Sequence, residues 1–352
     1  MKHHICIFTG ARPNFIKVAP IMRVMEQNSI CDFRLVYAGR EDDPTLEQTL
    51  FDDLQIRRPD AFLGVDCESL NELTGRVMEA FEHYLEKHET DTVIVVDDLA
   101  STMAAAIVTK KRGLRLAHLV AGTRSFDIHM PKEINRLVID GLSDLLFTAG
   151  AGSSSIATRE GAEMHKIYMV GNILMDSLRQ NRSRWQRPTC LEGIEDGRYL
   201  VFTINRKALL ADKEKLEKML GVVSEMAGDI PVIAPLRGQA YEMVSGFRGF
   251  KVQSSLSYLK FGYLTSHAMG IVTDSGNVAE EATFNNVPCI TLNSYTEHME
   301  TVKQGTNVLV GEDADQLREA LGKLMAGEWK QGVLPDRWDG RTAERIVQTL
   351  LS

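Results

Sequence analysis

The sequence predicts an α/β protein made of two doubly wound domains, and three observations support that prediction. Short apolar runs alternate with longer segments whose apolar residues recur at helical spacing. The run at residues 92–96 is almost wholly β-branched, which is typical of a strand buried on both faces of a parallel sheet. The alternation also stops and restarts along the chain, which indicates two separate sheets.

The first block begins with an apolar strand at residues 5–8, followed by a glycine turn and a helix whose apolar residues are spaced over 15–25. The other elements of this block are predicted from the same two periodicities. They are strands at 33–37, 92–96, 114–120 and 144–148, and helices at 70–85, 100–108 and 132–142.

The second block repeats the alternation after a stretch rich in Arg, Ser, Gln and Pro at Arg179–Thr189. It predicts strands at 199–203, 231–234, 269–272 and 289–292, and helices at 213–226, 256–267, 277–284 and 314–325. We expect a first domain over 1–170 and a second over 171–339. Since ligands of such sheets bind outside the carboxyl ends of the strands, we expect the site in a cleft between the two domains.

Composition excludes several classes of function. The 352 residues carry 40 Lys and Arg against 48 Asp and Glu, a formal charge of −8, which argues against a general nucleic-acid binder. The five cysteines never form a C-x-x-C pair, so we expect neither a disulfide framework nor a zinc site. We expect the protein to reside in a reducing compartment. No apolar run approaches the roughly 20 residues of a membrane span, and the N-terminal run is too short for an export signal. We expect a cytoplasmic protein without membrane insertion.

Two turns at the starts of helices are candidate anion sites. Gly10-Ala11-Arg12-Pro13 follows the first strand, with Arg12 and Lys17 as countercharges. A tight turn with two solvated cations explains the same residues equally well. In the second block, small residues at Ser275, Gly276 and Asn277 would let a diphosphate approach the backbone, and Glu281 could accept hydrogen bonds from a ribose. A helix cap by Asp274 or Ser275 is the alternative.

A pair of carboxylates, Asp97-Asp98, ends the buried strand at 92–96. Metal ligation, acid–base chemistry and helix capping all remain open for this pair. Glu133 and Arg136 share a face of a later predicted helix, and Arg124 lies just before it. A surface ion pair is the alternative for Glu133 and Arg136.

Taken together, these motifs resemble the non-hydrolysing UDP-N-acetylglucosamine 2-epimerases over nearly the whole chain. The resemblance rests on nine segments in one order. They are Gly10–Pro13 with Lys17 and Pro20, Ala121–Ser125, Met130–Arg136, Ser143–Phe147, Val170–Asn172, Thr273–Gly276, Glu280–Ala282, Glu300–Val302 and Gly305–Asn307.

The resemblance implies a GT-B-type fold of two Rossmann-like domains, a final helix near 340–352 that packs on the first domain, and frequent dimerisation. It implies an enzyme that eliminates UDP across C1–C2 of UDP-N-acetylglucosamine and adds it back to give the 2-epimer, without metal or other cofactor. In this sequence Asp98, Glu133 and Arg136 then stand at catalytic positions. The substrate-binding positions implied are Arg12, Lys17, Arg40, Arg124, Lys132, Asn205, Arg206, Arg237, Phe261, Ser275, Gly276, Asn277, Glu281 and His298, with Phe261 against uracil.

The chain departs from the family where acid–base chemistry is expected. Val120 and Lys132 stand where the family has Glu, and Asn205 stands where it has His. Arg40 and Arg237 also replace His, and His298 replaces Arg. Losing one acid–base group typically costs about 10²–10⁴-fold in rate. Because Lys132, Arg40 and Arg237 add positive charge and Val120 removes a negative one, we expect a site rebuilt for a more anionic sugar; decay of the site is the alternative.

The sequence therefore predicts a UDP-N-acetylhexosamine 2-epimerase, with UDP bound whatever the sugar chemistry. Two other functions remain open: a UDP-sugar-binding protein without turnover, and a nucleotide-sugar hydrolase or glycosyltransferase on the same scaffold.

Overall fold

A computed structural model describes residues 3–27 and 31–352 of the chain. The chain divides into two compact units, one formed by Met1–Arg179 together with Asp336–Ser352 and the other by Gln180–Pro335. Each unit is built around its own parallel sheet. The predicted class of two doubly wound α/β domains is therefore confirmed.

The first unit contains a seven-stranded sheet in the order β3-β2-β1-β4-β5-β6-β7. Its strands are β1 (His3–Thr9), β2 (Cys31–Tyr37), β3 (Ala61–Phe62), β4 (Thr92–Val96), β5 (Arg115–Ala121), β6 (Leu145–Thr148) and β7 (Ile167–Met169). All five residues of β4 are buried, as expected for the central β-branched strand.

Helices connect these strands. They are α1 (Arg12–Glu26), α2 (Gln48–Leu54), α3 (Leu70–Lys87), α4 (Ala100–Lys111), α5 (Pro131–Leu142), α6 (Ala151–Arg159) and α7 (Ile173–Asn181). Helix α3 begins at a serine cap, since Ser69 Oγ accepts the N–H of Glu72. Both α1 and α5 carry proline in their first turn, where a missing N–H costs nothing.

The last helix, α15 (Thr342–Leu351), packs against α1 within the first unit. Its N-terminus is capped from α7, because Asp176 accepts the N–H groups of Thr342 and Ala343. Ser177 of α7 donates to the carbonyl of Ile16 in α1. These contacts keep most of α7 in the first unit, so the division falls at residue 179 instead of the expected 170.

The second unit contains a six-stranded parallel sheet in the order β10-β9-β8-β11-β12-β13. Its strands are β8 (Leu200–Thr203), β9 (Val232–Pro235), β10 (Phe250–Gln253), β11 (Gly270–Thr273), β12 (Cys289–Thr291) and β13 (Asn307–Leu309). Its helices are α8 (Lys207–Ala211), α9 (Lys213–Ala227), α10 (Gly238–Val244), α11 (Tyr258–Ser266), α12 (Gly276–Asn285), α13 (Glu300–Lys303) and α14 (Ala314–Met325).

The long predicted helices and the buried strands agree with the structure, whereas the sequence missed short elements. Strands β3, β7, β10 and β13, which have two to four residues, were not predicted. Within residues 3–27 and 31–352, no helix has both the length and the apolar character that a membrane span requires.

The register of the first sheet brings chemistry-bearing residues to one edge. Thr9 of β1 pairs with Tyr37 of β2, and Val96 of β4 pairs with Leu119 of β5. Gly10 and Asp97 follow these strand ends and therefore leave the sheet at its carboxyl edge, and Val120 is the second-last residue of β5 at the same edge. This is the edge at which doubly wound sheets bind ligands.

Candidate active site

The turn after β1 is closed on itself. The N–H groups of Gly10 and Ala11 donate to Asn14 Oδ1, at 2.9 and 3.1 Å. A Cβ on Gly10 would lie 2.1 Å from Ser101 Oγ, so the glycine is required by close packing against α4. The backbone donors that an anion would use are thus engaged inside the protein, and the geometry favours the tight-turn interpretation of this motif. Arg12 is half-buried at the start of α1.

Lys17 neutralises the first carboxylate of the pair after β4. Its ammonium lies 2.5 Å from Asp97 Oδ1, and Asn14 Nδ2 donates to Asp97 Oδ2 at 2.7 Å. The Lys17 side chain is buried, and Asp97 has a left-handed backbone with φ of 59°, which aspartate tolerates better than most residues. The contact of Lys17 is therefore with Asp97, inside the fold.

Asp98 is held by two cations from α5. Arg136 donates through Nε and Nη2 to Asp98 Oδ2, at 2.8 and 2.6 Å, and Lys132 Nζ lies 3.3 Å from Asp98 Oδ1. Asn135 fixes the backbone by donating to the Asp98 carbonyl. Burial raises the pKa of Asp98, but the charges of Lys132 and Arg136 outweigh it, and the net pKa lies below the usual value. Asp98 is therefore a carboxylate at neutral pH, the state that a proton acceptor requires.

Glu133 is also ionised, but its oxygens are already occupied. Oε2 accepts the N–H and the hydroxyl of Ser125, both at 2.8 Å, and Oε1 accepts the N–H of Phe126 at 3.1 Å. Arg136 Nη1 lies 3.3 Å from Oε2. Burial raises the pKa of Glu133, but the hydrogen bonds from Ser125 and Phe126 and the charge of Arg136 outweigh burial, so the net shift is downward. This geometry makes Glu133 a residue that positions the loop before α5.

A buried ion cluster lies beneath this edge of the first sheet. Asp140 Oδ1 lies 2.6 Å from His118 Nδ1, and Asp140 Oδ2 lies 2.8 Å from Arg124 Nη1. The other end of the Arg124 guanidinium pairs with Glu160 at 2.5 Å. Burial raises the pKa of Asp140, but His118 and Arg124 bring it below its usual value. The buried Arg124 guanidinium thus contacts carboxylates of the domain, although the resemblance implied a substrate contact.

Val120 occupies a strained position next to this cluster. It lies at a register shift between Leu119 and Ala121, and its φ is 73°. A β-branched residue in the left-handed region is a genuine outlier, and such strain concentrates at functional sites. This strained strand end carries a side chain that cannot hold a proton.

Arg40 is paired at the surface with carboxylates of its own loop. Its Nε and Nη2 donate to Asp42 at 2.8 and 2.6 Å, and Asp66 lies 3.9 Å away. The three residues line a cavity of about 480 Å³, together with Asp43 and apolar side chains of α3. Three carboxylates against one guanidinium make this cavity acidic, so Arg40 does not supply the net positive charge expected for an anionic sugar.

In the second unit, Asp274 joins the ends of two neighbouring strands. Its Oδ2 accepts the N–H groups of Asn205 and Arg206, at 2.7 and 2.6 Å. The Asn205 side chain is exposed, and the Arg206 guanidinium pairs with Glu312 at 2.5 Å and with Asn293. These contacts fix the loop after β8 beside the start of α12.

Helix α12 begins where the sequence predicts the diphosphate site. Ser275 caps it by accepting the N–H of Val278, and Gly276 is its first residue, with no atom closer than 4.0 Å to a built Cβ. Asn277 is half-exposed. Open space and a helix N-terminus together favour an anion.

Behind this helix start, two acidic residues are buried. Glu281 lies close enough to Tyr258 for its charge to raise the pKa of that phenol, which burial has already raised. The buried Tyr258 hydroxyl has no hydrogen-bond partner among the described residues. Glu280 Oε1 lies 3.7 Å from His298 Nε2. Phe261 is half-buried on α11, and Arg237 is exposed at the start of α10.

Sequence reasoning missed several of these polar residues. His118 and Asp140 act through contacts between residues far apart in the chain, which no local spacing predicts. Asp274, considered from the sequence as a helix cap, instead accepts the N–H groups of Asn205 and Arg206. Tyr258 is the first residue of α11, and the resemblance implied a role only for Phe261 in this helix. Within the described ranges, no group of three or more His, Cys, Asp or Glu side chains is arranged to hold a metal ion.

Comparison with known proteins identifies relatives of this chain. The sequence profile of UDP-N-acetylglucosamine 2-epimerases matches residues 23–351. The UDP-N-acetylglucosamine 2-epimerase of Methanocaldococcus jannaschii is 31% identical over 364 residues, covering 98% of each chain. The UDP-2,3-diacetamido-2,3-dideoxy-D-glucuronate 2-epimerase of Pseudomonas aeruginosa is 31% identical over 333 residues, covering 91% of this chain and 93% of its own.

Solved structures show the same fold. The M. jannaschii enzyme in complex with UDP-GlcNAc and UDP superposes with a TM-score of 0.86 at 30% identity, over 99% of both chains. The Neisseria meningitidis UDP-GlcNAc 2-epimerase bound to UDP-GlcNAc gives a TM-score of 0.90 over 100% of both chains, and at 23% identity it supports the fold alone. The two sheets thus define a GT-B-type protein with Rossmann-like domains. Within that class, the chain belongs to the UDP-N-acetylglucosamine 2-epimerase family, and it is an epimerase-type enzyme.

Proposed function

We propose that the enzyme acts on a UDP-N-acetylhexosamine whose sugar carries an anionic group, by eliminating UDP across C1–C2 and adding it back. The observation that carries this proposal is Asp98: an ionised carboxylate at the carboxyl end of the central strand β4, anchored by a buried arginine. In the elimination, Asp98 takes the C2 proton, the C2–H electrons form the C1=C2 bond, and the C1–O electrons leave with UDP.

The second unit supplies the nucleotide-binding residues in this proposal. Ser275, Gly276 and Asn277 at the start of α12 meet the diphosphate, where the helix dipole favours negative charge. Glu281, behind this helix start, is the carboxylate proposed to accept hydrogen bonds from the ribose. The M. jannaschii relative, solved with UDP-GlcNAc and UDP, supports a UDP-sugar as the ligand.

The anionic group is proposed from the charge beside Asp98. Lys132 is the exposed cation of that cluster, with 57% of its side chain accessible, and Arg237 is exposed in the second unit. A cation at a partly desolvated site binds a carboxylate more strongly than a neutral hydroxyl. The name of the P. aeruginosa relative specifies a glucuronate, which agrees with a substrate of this kind. Arg40 is not proposed to bind the anionic group, because Asp42 and Asp66 already neutralise that guanidinium.

A second candidate function is UDP-sugar binding without turnover. Val120 and Asn205 cannot carry a proton, and Glu133 has its oxygens filled by loop donors. The proton that inverts C2 must arrive on the face opposite to the one from which Asp98 removes it. If no other group delivers that proton, no 2-epimer forms.

One experiment separates these functions. The enzyme is incubated in deuterated water with UDP-GlcNAc and, separately, with the analogue oxidised to a carboxylate at C6. Deuterium at C2 together with the 2-epimer supports the proposal, and preference for the uronate supports the anionic group. Free UDP without epimer indicates elimination or hydrolysis, and binding without any exchange indicates the second candidate.

Two variants sharpen the result. Asp98→Asn should lower C2 exchange by at least about 10²-fold while UDP still binds. Lys132→Glu should abolish a preference for the uronate. Exchange that survives Asp98→Asn, or equal affinity of the parent for both sugars, would contradict the corresponding half of the proposal.

A further inference from the structure

The two oxygens of Asp98 are held by cations of very different mobility. Oδ2 is bound by Arg136, whose side chain is only 6% exposed and which also contacts Glu133. Oδ1 is covered by Lys132 at the longer distance of 3.3 Å, and that side chain is 57% exposed. Arg136 is therefore a fixed partner of Asp98, whereas the lysine stem can leave without disturbing the core.

The charges of this cluster balance only while Lys132 stays in place. Asp98 and Glu133 carry two negative charges, and Arg136 and Lys132 carry two positive ones. If Lys132 turns to another anion, the three residues that remain carry one net negative charge. The freed oxygen of Asp98 then becomes both accessible and more basic.

Other charged groups near Asp98 are already engaged. They come from α1, from the end of β4 and from β5, and they contact one another instead of the Asp98 carboxylate. They are Lys17, at 2.5 Å from Asp97 Oδ1; Asp97 itself; and His118, whose Nε2 lies 3.0 Å from the Asp97 carbonyl. Lys132 is thus the exposed charge whose movement changes the environment of Asp98.

We propose that Lys132 couples recognition of an anionic sugar to release of the catalytic carboxylate. In the resting enzyme Lys132 shields Asp98 Oδ1. An anionic group on the sugar draws the ammonium away, and Asp98 Oδ1 is then free to accept the C2 proton. A neutral sugar leaves Lys132 on Asp98 and is turned over slowly. This inference rests on the proposed function and makes Lys132 a positioning residue.

The test measures C2 deuterium exchange with the neutral and the uronate UDP-sugar in the parent and in Lys132→Met, which keeps the stem and removes the charge. We expect opposite effects in the variant: exchange on the neutral sugar rises about tenfold and exchange on the uronate falls about tenfold. A purely structural role for Lys132 would move both rates in the same direction.

The pH profile gives a second readout. Without the lysine charge, the acid limb of kcat/KM for the neutral sugar should move to higher pH, since Lys132 is one cause of the lowered pKa of Asp98. Lys132→Arg, which keeps the charge, should restore the preference for the uronate. Lys218→Met removes a comparably exposed lysine, paired with Glu214 on α9, and should change neither rate.

The outcomes separate this inference from the proposed function. Suppose that the parent exchanges C2 hydrogen on the uronate, and that Lys132→Met lowers both exchange rates or changes neither. That result would overturn the role of Lys132 and leave the epimerase proposal standing. No exchange by the parent on either sugar would overturn both.

Discussion

Asp176 links α7 to the last helix, and its substitution should change how the stability of the first unit depends on pH. The carboxylate accepts the N–H groups of Thr342 and Ala343, at 3.0 and 2.8 Å, and the side chain is buried. Burial raises the pKa of Asp176 to about 6, although these two backbone hydrogen bonds act in the opposite direction.

The sign follows from the two pKa values. In the unfolded chain an aspartate titrates at about 3.9, so between pH 4 and pH 6 the folded state holds a proton that the unfolded state has lost. The stabilising contribution is therefore fully present below about pH 4 and is lost as the pH rises through 6. A shift of about two pKa units corresponds to about 3 kcal/mol, most of it developing between pH 4 and pH 7.

Asp176→Asn removes this titration and keeps one carbonyl oxygen to cap α15. The variant should lose about 1 kcal/mol at pH 4, where one backbone hydrogen bond is missing. Relative to the variant, the parent should lose about 2–3 kcal/mol of unfolding free energy between pH 4 and pH 7. Asp336→Asn, at an exposed carboxylate of the same unit, is the matched control and should leave the profile unchanged.

Urea unfolding monitored by Trp338 provides the assay. Trp338 is buried in the first unit, whereas Trp185 and Trp329 lie in the second, so phenylalanine at both of those positions isolates the first unit's signal. Parallel pH profiles for the parent and Asp176→Asn would refute the reasoning, as would a parent that gains stability relative to the variant from pH 4 to pH 7.

Three further predictions address the candidate site. Asp140→Asn should cost about 3–5 kcal/mol, because it leaves the His118 ring without its partner and the buried Arg124 guanidinium without one of its two carboxylates. Since the pKa of Asp140 is lowered, the parent's advantage should shrink as the pH falls below about 4, as acid titration followed by circular dichroism would show. Lys17→Met should lower the free energy of unfolding by about 3–5 kcal/mol and leave the UDP affinity measured by calorimetry unchanged. Weaker UDP binding at unchanged stability would instead show that Lys17 contacts the ligand. Ser275→Ala should cost about 1 kcal/mol as a lost helix cap and also weaken UDP binding about tenfold, whereas Asp313→Ala, which removes the cap of α14, should cost similar stability and leave UDP affinity intact.

The sequence by itself determined the class of the fold and the places in it where candidate functional residues lie. The β-branched run of β4 and the apolar spacing of α1 are local patterns, so they predict a strand and a helix before any partner is known. The turn before α12 is equally local, because a cap and small residues at a helix start involve neighbours in the chain. The pair Asp97-Asp98 could be singled out because carboxylates at the end of a buried strand require partners, and the resemblance to the family selected Asp98 within it.

The tertiary structure alone decided which charges are free. Lys17, Arg124, Arg136 and Lys132 all appear in the sequence as cations near acidic residues. Their partners lie 16 to 80 residues away in the chain: Asp97 for Lys17, Asp140 for Arg124, and Asp98 for the other two. The energy of an ion pair depends on distance and burial, which packing fixes and sequence spacing does not. For the same reason, only the structure shows that Arg40 is neutralised by its own loop and that Lys132 is the exposed cation on Asp98.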